Sequence, residues 1–302
     1  NIKSRLLLVT GSTGFIGSHL TKALRKGGYD YRTFGRSCPK GAHVDHHFMG
    51  DVTDFESLKI AIAACDLVVH LACIPLPASV KNPSVCFDVN AGGTNNVARA
   101  VSDLDRELLF VSTSEVYGPK AKFPILESDS LEPTSTYGAS KKAGEAACNS
   151  WNRIAGLNYS ILRFFNIMGP SSEGLVRNTV ETIFLRRAFE GQIMTIKGNQ
   201  HNSRDFLYVD DAIYALELAI EKFSSIEGET INIGSGQETT LVELAQTVCR
   251  VARVKSDDLI AIDTDTSAAQ RYQADVTKAR RLLNFAPKLT LEQGLQLTAK
   301  AL

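Results

Sequence analysis

Residues 6 to 20 read LLLVTGSTGFIGSHL, an apolar run that leads through three glycines into a helical pattern. The run has the length of a buried strand, so the glycines stand at a strand-to-helix turn. Glycines at Gly11, Gly14 and Gly17 allow a tight turn and let a pyrophosphate come close to the helix N-terminus. The stretch therefore predicts a dinucleotide site at the first turn of an α/β fold.

The alternation of apolar runs and helical patterns continues along the chain. Apolar runs occur in DYRTFG, HHFMGDV, DLVVHLA and ELLFVSTS, and helical patterns cover residues 16–26, 55–65, 89–102, 137–153 and 176–190. Continuous apolar runs that alternate with helices are typical of a parallel sheet buried on both faces. We predict a doubly wound parallel sheet (a Rossmann fold) with a smaller α/β substrate-binding domain.

The alternation loosens after residue 165, where glycines, prolines and polar residues become frequent. We therefore assign residues 1–165 to the dinucleotide-binding domain and residues 166–302 to the substrate domain. The segment 203–225, which contains DFLYVDDAIYALELAIEK, is expected to return and pack on the first domain.

The composition excludes several classes of partner. The chain has 302 residues, of which 33 are Lys or Arg and 33 are Asp or Glu, so no bulk charge favours nucleic acid or an anionic membrane. No apolar run is long enough to span a bilayer.

The six cysteines are scattered without a CxxC pair, which predicts reduced thiols in a cytoplasmic protein. HVDHH at residues 43–47 does not have ligand spacing, so we predict no metal site.

The end of the second predicted strand bears on the choice of cofactor. An NAD site of this kind has a carboxylate there to bind the ribose hydroxyls, whereas this chain has Gly35, followed by Arg36 and Ser37. Because a guanidinium suits a phosphate, these residues favour NADP over NAD, unless Arg36 is a solvated loop residue. GDVTD, after the third strand, puts Asp51 and Val52 beside the adenine.

Two further motifs carry a resemblance to a known family. TSTYGASK places Tyr137 and Lys141 one helical turn apart on the same face, and STSEVYG, from Ser112 to Gly118, ends a buried strand. With the glycine turn, these motifs resemble the extended short-chain dehydrogenase/reductases, and more closely the NAD-dependent epimerase/dehydratase family that acts on nucleotide sugars. VVHLA, DVNAGGTNN, LRFFNIMGP, SRDFLYVDDAI and INIGSG fit the family in the same order.

The resemblance implies transient oxidation of a sugar carbon, usually C4. Tyr137 would take the hydroxyl proton as a phenolate, its pKa lowered by Lys141 and the cofactor's positive ring, and Thr113 would bind the sugar oxygen. The resemblance also implies cofactor contacts from the first turn and the strand ends, namely Thr13, Phe15, Ile16, Leu71, Ala72 and Asn90. For Asn90 and His70, local hydrogen bonding is the alternative. The residues implied for the nucleotide sugar are Asn166, Asn178, Arg204 and Arg271.

Glu115 in STSEVYG bears on the type of reaction. In family dehydratases a glutamate here removes the C5 proton, and the Ser114–Glu115 pair resembles GDP-mannose dehydratases and UDP-glucuronate decarboxylases. We therefore favour a dehydratase. A decarboxylase, a 4-epimerase with Glu115 as a bystander, an NADPH-dependent 4-ketoreductase and a non-catalytic nucleotide sensor remain as alternatives. The family also implies a homodimer joined through the helices at residues 89–102 and 137–153.

Overall fold

The computed structural model describes residues 5–40, 46–120, 122–174, 177–256, 258–263, 265 and 267–302. Its strands are β1 (Leu7–Thr10), β2 (Tyr31–Gly35), β3 (His47–Met49), β4 (Leu67–His70), β5 (Glu107–Thr113), β6 (Asn158–Phe164), β7 (Asn166–Met168), β8 (Met194–Lys197), β9 (Ser203–Arg204), β10 (Phe206–Tyr208), β11 (Thr230–Ile233), β12 (Thr239–Thr240) and β13 (Ile260–Asp263). Residues 43–45 of the HVDHH stretch lie outside the described residues.

The α-helices are α1 (Phe15–Gly27), α2 (Phe55–Ala63), α3 (Leu76–Ser79), α4 (Pro83–Phe87), α5 (Gly93–Asp103), α6 (Thr136–Ala155), α7 (Val180–Phe189), α8 (Val209–Glu221), α9 (Leu241–Ala252), α10 (Thr277–Leu283) and α11 (Leu291–Ala299). A π-helical segment spans Asp88–Gly92 and joins α4 to α5, so the helix predicted from residue 89 starts earlier, at Pro83. The helix predicted from residue 176 begins at Val180, after an N-cap at Thr179, and residue 176 lies outside the described residues.

Seven parallel strands form the central sheet in the order β11-β6-β5-β4-β1-β2-β3. The order runs outward in both directions from β1 and β4, which is the doubly wound arrangement that the sequence predicts. Both of these strands are buried along their whole length. Because all strands point the same way, their carboxyl ends meet at one edge and open a crevice there.

Apolar side chains from the sheet fill two cores, one on each face. Leu7 and Val9 pack with Leu20 of α1 and Leu216 of α8 on one face. Leu8, the residue between them, packs into the opposite core, which also receives side chains from α2, α5 and α6. This alternation along β1 fixes the three layers, because successive strand residues point to opposite faces.

The later part of the chain adds three small sheets, β7 with β10, β8 with β13, and β9 with β12. The division at residue 165 stays a prediction, with one correction. β11 was assigned with residues 166–302, but Thr230–Ile233 pairs with Ile161–Phe164 and completes the edge of the central sheet. In the segment that was expected to return, α8 packs on α1.

A buried ion pair anchors the helix that carries the Tyr–Lys motif. Arg163 on β6 donates from Nε to Glu145 Oε1 on α6 at 3.0 Å and from Nη2 to Oε2 at 2.6 Å. Its Nη1 also donates to the Tyr117 hydroxyl at 2.8 Å, and that hydroxyl donates to Asn232 Oδ1 at 2.6 Å. These contacts fix α6 against β6, next to the end of β5.

α5 and α6 pack side by side, and the dimer through these helices stays a prediction. In the described residues no helix is long and apolar enough to cross a membrane. The same part of the chain contains no group of three or more His, Cys, Asp or Glu side chains arranged to hold a metal ion.

Candidate active site

A cavity of about 720 Å³ lies at the carboxyl ends of the central strands. Its size is in the range of small-molecule and cofactor sites. Most of the residues implied by the sequence line it, namely Gly11, Thr13, Gly14, Phe15, Ile16, Gly17, Arg36, Asp51, Val52, Leu71, Ala72, Thr113, Ser114, Glu115, Tyr137, Lys141, Asn166 and Asn178. Ser37, Asn90, Arg204 and Arg271 lie outside this lining.

The glycine turn has the shape that a dinucleotide needs. Gly11 has a φ of +70°, and a Cβ there would stand 2.6 Å from the backbone nitrogen of Ala72. A Cβ on Gly17 would collide with the Gly11 carbonyl oxygen. Gly14 caps α1 without a side-chain acceptor, so backbone N–H groups at this helix end are available to an anion. The turn fits the pyrophosphate of a nicotinamide cofactor.

The neighbouring strand end is held to this turn through a threonine. The backbone N–H groups of Leu71 and Ala72 donate to the Thr10 hydroxyl at 3.1 and 3.2 Å. Thr10 also hydrogen-bonds His70 Nδ1 at 2.7 Å, and His70 Nε2 lies 3.1 Å from the Thr94 hydroxyl. Burial lowers the pKa of His70 to about 3, and the charge of Lys141 acts in the same direction. His70 is therefore a neutral structural group beneath the cavity.

At the far end of the cavity, Arg36 follows the last residue of β2. Its side chain is 76% exposed, and its Nε lies 3.9 Å from Asp51 Oδ2. Asp51 also accepts bonds from the Thr53 backbone N–H and hydroxyl. A Cβ at Gly35 would meet only the Ser37 carbonyl oxygen, at 4.0 Å, so the space beside this strand end is open.

Tyr137 and Lys141 are placed by the first turns of α6. The Ser135 hydroxyl caps this helix by accepting from the Gly138 N–H at 3.0 Å. Lys141 Nζ donates to the Val111 carbonyl at 2.6 Å and lies 4.2 Å from the centre of the Phe110 ring. The lysine is almost wholly buried, and burial lowers its pKa.

Tyr137 lies where the end of β5 meets α6. Burial raises the pKa of its hydroxyl well above the ordinary value, and a hydrogen bond with Thr113 lowers it. Cys73 lines the same cavity and also raises the pKa of Tyr137, a neighbour that the sequence analysis missed because no motif marks this cysteine. Thr113 and Tyr137 therefore meet, as the resemblance implies, and Lys141 lines the same cavity.

Glu115 lies on the 3-10 turn Ser114–Val116, directly after β5. The Thr113 hydroxyl caps this turn by accepting from the Glu115 backbone N–H at 3.2 Å. Burial raises the pKa of the Glu115 carboxyl, and the charge of Arg204 lowers it. The charge of Glu115 in turn raises the pKa of Tyr137, so the two groups share one electrostatic environment.

Asn90 is turned toward protein, not toward the cavity. Its Oδ1 accepts from the Ile74 backbone N–H at 2.7 Å, and its Nδ2 donates to the Ile74 carbonyl and the Ser140 hydroxyl, each at 3.0 Å. Asn90 therefore holds the loop after β4 against α6. This is the local hydrogen bonding that the sequence left open, and direct cofactor contact by Asn90 stays an untested prediction.

The two arginines implied for the diphosphate lie outside the cavity lining, although Arg204 is near enough to Glu115 for its charge to lower the pKa of that carboxyl. Arg204 donates to the Ser203 carbonyl at 2.8 Å, and its guanidinium lies 4.8 Å from the centre of the Tyr272 ring. Arg271 forms two bonds of 2.7 Å with Glu238. Their role toward a diphosphate stays a prediction, and Arg271 would have to share its guanidinium with Glu238.

Two charged residues near Asn178, Arg177 and Glu181, were not assigned roles from the sequence, and residues 175–176 lie outside the described residues. Arg177 lines the cavity, and its guanidinium lies 3.8 Å from the centre of the Phe15 ring. Glu181, at the start of α7, also lines the cavity. Neither residue belongs to a recognisable motif, so only the fold brings them to this site.

The sequence model of the NAD dependent epimerase/dehydratase family matches residues 7–234 of the chain. The chain belongs to this family. It is therefore an NAD(P)-dependent enzyme of the short-chain dehydrogenase/reductase type, and its Tyr137–Lys141 pair lines the cavity near the end of β5.

Relatives in the family catalyse different reactions. The chain is 30% identical to a UDP-N-acetyl-alpha-D-glucosaminuronate decarboxylase of Bacillus cytotoxicus, over 96% of this chain and 95% of that one. Its structure is similar to a UDP-glucose 4-epimerase of Thermotoga maritima with UDP-glucose, with a TM-score of 0.84, 28% identity and 98% of each chain covered. It is also similar to a dTDP-glucose 4,6-dehydratase of Streptomyces venezuelae with NAD bound, with a TM-score of 0.85, 27% identity, and 98% and 96% coverage.

Proposed function

We propose that the enzyme is a nucleotide-sugar dehydratase, which oxidises C4 of the sugar transiently and uses Glu115 to extend the chemistry to C5. The observation that carries the proposal is the position of Glu115. It lines the same cavity as Tyr137, and its charge raises the pKa of that tyrosine. Oxidation and reduction at C4 need only Tyr137 for proton transfer, so the Glu115 carboxyl is available for a second proton transfer, at C5.

The first step depends on Tyr137. When bound, the nicotinamide cofactor accepts the hydride that leaves C4 and returns it at the end of the reaction. Tyr137 takes the proton of the C4 hydroxyl, which leaves a ketone. The hydrogen bond with Thr113 lowers the pKa of Tyr137 against burial and so favours the phenolate. We infer that the Lys141 ammonium, whose Nζ donates to the Val111 carbonyl, adds a favourable charge when the phenolate forms.

The second step depends on Glu115. A ketone at C4 acidifies the C5 hydrogen, and the Glu115 carboxylate takes that proton. As the C6–O bond breaks, a C5=C6 double bond forms, and Glu115 returns its proton to the departing hydroxide to give water. The hydride then goes to C6 and a solvent proton goes to C5. A pKa raised by burial makes the Glu115 carboxylate a stronger base than an exposed glutamate.

A decarboxylase is the second candidate, and the same raised pKa supports it. If the substrate is a uronate, the C4 ketone allows the C5 carboxylate to leave as CO2, and the electron pair remains on C5 and the ketone. Glu115 in its protonated form would then supply a proton to C5. The Bacillus cytotoxicus relative supports this candidate.

For the cofactor, we propose that NADP binds more tightly than NAD. Gly35 leaves room beside Arg36, whose guanidinium has only the distant Asp51 as an acidic neighbour among the described residues. Arg36→Ala is expected to weaken NADP binding about tenfold and to leave NAD binding nearly unchanged. Equal affinities of the wild type for NAD and NADP, unaltered by this substitution, would contradict the proposal.

A mass-shift screen tests the proposed reaction. The enzyme is incubated with UDP-, dTDP-, GDP- and CDP-hexoses and with UDP-glucuronate, each with NAD or NADP, and the products are read by mass spectrometry. Loss of water supports the dehydratase, and loss of CO2 supports the decarboxylase. A product of unchanged mass with altered stereochemistry would make the enzyme an epimerase and remove Glu115 from the mechanism. Tyr137→Phe serves as the inactive control.

A further inference from the structure

Arg177 is a cation in the wall of the active-site cavity that the proposed reaction does not use. Its guanidinium carbon lies 3.8 Å from the centre of the Phe15 ring, so the charged group lies over the first residue of α1. Phe15 directly follows Gly14, the N-cap at the helix end where backbone N–H groups are available to an anion. The charge of Arg177 is therefore held beside the glycine turn, where an anion is expected to bind.

The protein uses only part of the hydrogen-bonding capacity of Arg177. Its Nη1 donates to the Ile167 carbonyl at 3.3 Å, which is long for a bond from a charged donor. Within the described part of the chain, Nε and Nη2 donate to no acceptor, and neither belongs to the buried side-chain atoms that lack a partner. Because Arg177 is only half-buried, these two N–H groups keep accessible surface, and a ligand can reach them.

The charges around the glycine turn favour an anion beside Arg177. Burial lowers the pKa of Arg177 and the charge of Glu181 raises it, and an arginine stays charged in proteins. Glu181 is completely buried, so it does not present a carboxylate to a ligand. The other two cations that line the cavity in the described residues, Arg36 and Lys141, lie after β2 and on α6. Of the three, Arg177 is the one that contacts α1.

The chain that leads to Arg177 contacts the predicted dinucleotide-binding domain at two further points. His19 Nε2 on α1 donates to the Pro170 carbonyl at 3.0 Å. Lys40 Nζ, in the loop after β2, lies 3.3 Å from Glu173 Oε2. Both contacts join the chain after residue 165 to elements that flank the glycine turn. Arg177 therefore comes from the predicted substrate domain to a binding site that the first domain builds.

We propose that Arg177 is a ligand-binding residue, whose guanidinium donates to the diphosphate of a nucleotide held in the cavity while it remains over the Phe15 ring. The N–H groups of a guanidinium match the oxygens of a phosphate, and such charge-assisted bonds are stronger than those between neutral groups. The inference rests on the proposed function, because the diphosphate belongs either to the nicotinamide cofactor or to the nucleotide sugar. Both offer the same chemistry to an arginine.

Isothermal titration calorimetry tests this assignment with pairs of ligands that differ in the diphosphate. The first arm compares ADP-ribose with adenosine, and the second compares UDP with uridine in the presence of cofactor. Arg177→Gln is expected to weaken one of the two diphosphates about 10- to 100-fold and to leave its nucleoside within about twofold. Arg177→Lys keeps the charge without the planar fork, so it is expected to recover part of the loss. The arm that responds identifies the source of the diphosphate.

Arg187→Gln is the matched control. Arg187 is half-buried on α7 and lies outside the cavity lining, and its Nη1 donates to the Ile193 carbonyl at 2.9 Å. The control therefore removes the same charge and the same kind of bond away from the cavity, and wild-type affinities are expected. Far-UV circular dichroism checks that each variant is folded.

Two results would overturn the proposal. One is wild-type affinity for both diphosphates in Arg177→Gln or, where that variant does not fold, in Arg177→Lys. The other is equal weakening of a diphosphate and its nucleoside, which would mean that Arg177 only supports Phe15 and the start of α1. A weakened ADP-ribose arm with no nucleotide sugar converted in the mass-shift screen would keep this inference and refute the proposed function. Conversion of a sugar with every affinity unchanged in Arg177→Gln would do the opposite.

Discussion

Replacing Glu145 with glutamine tests how the catalytic helix is held. The Glu145 and Arg163 side chains are 4% and 7% exposed, and two bonds of 3.0 and 2.6 Å join them. Glu145→Gln leaves the Arg163 guanidinium buried without a counter-charge. Removal of one partner of such a pair costs about 3–5 kcal/mol in the free energy of unfolding, because the remaining charge stays desolvated.

The control for this change is an exposed pair. Arg250 Nε lies 3.4 Å from Glu292 Oε2, and the two side chains are 59% and 45% exposed. Glu292→Gln makes the same chemical change in water and is expected to cost about 0–1 kcal/mol. Urea unfolding followed by far-UV circular dichroism gives both values.

The same substitution has a functional consequence. Glu145 raises the pKa of Lys141, one turn earlier on α6, against the effect of burial. Its loss lowers the pKa of Lys141 further, so less ammonium is present beside Tyr137, and kcat is expected to fall as well. If Glu145→Gln lost no more stability than Glu292→Gln, the reasoning that α6 depends on this ion pair would be refuted.

Three further predictions concern the cavity. Gly17→Ala is expected to abolish cofactor binding in calorimetry, because its Cβ would meet the Gly11 carbonyl oxygen; wild-type affinity would contradict this account of the turn. His70 is expected to remain neutral between about pH 5 and 8, since burial lowers its pKa to about 3; a titrating ring in nuclear magnetic resonance spectra would contradict it. Glu115 acts as a base only when ionised, so turnover should fall on acidification at a pH above the ordinary carboxyl pKa of 4.5. Glu115→Gln should eliminate both turnover and this acidic limb, and retained water loss would refute its role.

The parts of the site that depend on short-range geometry could be predicted from the sequence. Gly17 lies against the Gly11 carbonyl within the same turn, and Tyr137 and Lys141 share a face because they are four residues apart on a helix. Strands β1 to β5 followed from apolar runs, whereas β6 and β11 did not, because polar residues interrupt their sequences NYSILRF and TINI.

The rest of the site depends on contacts between distant residues, which no local pattern records. Arg271 is paired with Glu238, 33 residues away, and Asn90 is bonded to Ile74. The burial of Glu181 at the start of α7 depends on packing against distant residues, which its neighbours in sequence do not reveal. The sequence therefore indicated which residues carry the chemistry. It did not indicate the contacts within the chain that hold those side chains in place.

Stopped-flow absorbance of the nicotinamide is the measurement that tests transient oxidation at C4 most directly. The enzyme with oxidised cofactor is mixed with the nucleotide sugar that the mass-shift screen identifies, and a sugar carrying deuterium at C4 is used in parallel. The account predicts a transient reduced-nicotinamide signal that forms more slowly with the deuterated sugar and is absent in Tyr137→Phe. Product formation without that signal, or an equal signal in Tyr137→Phe, would contradict it.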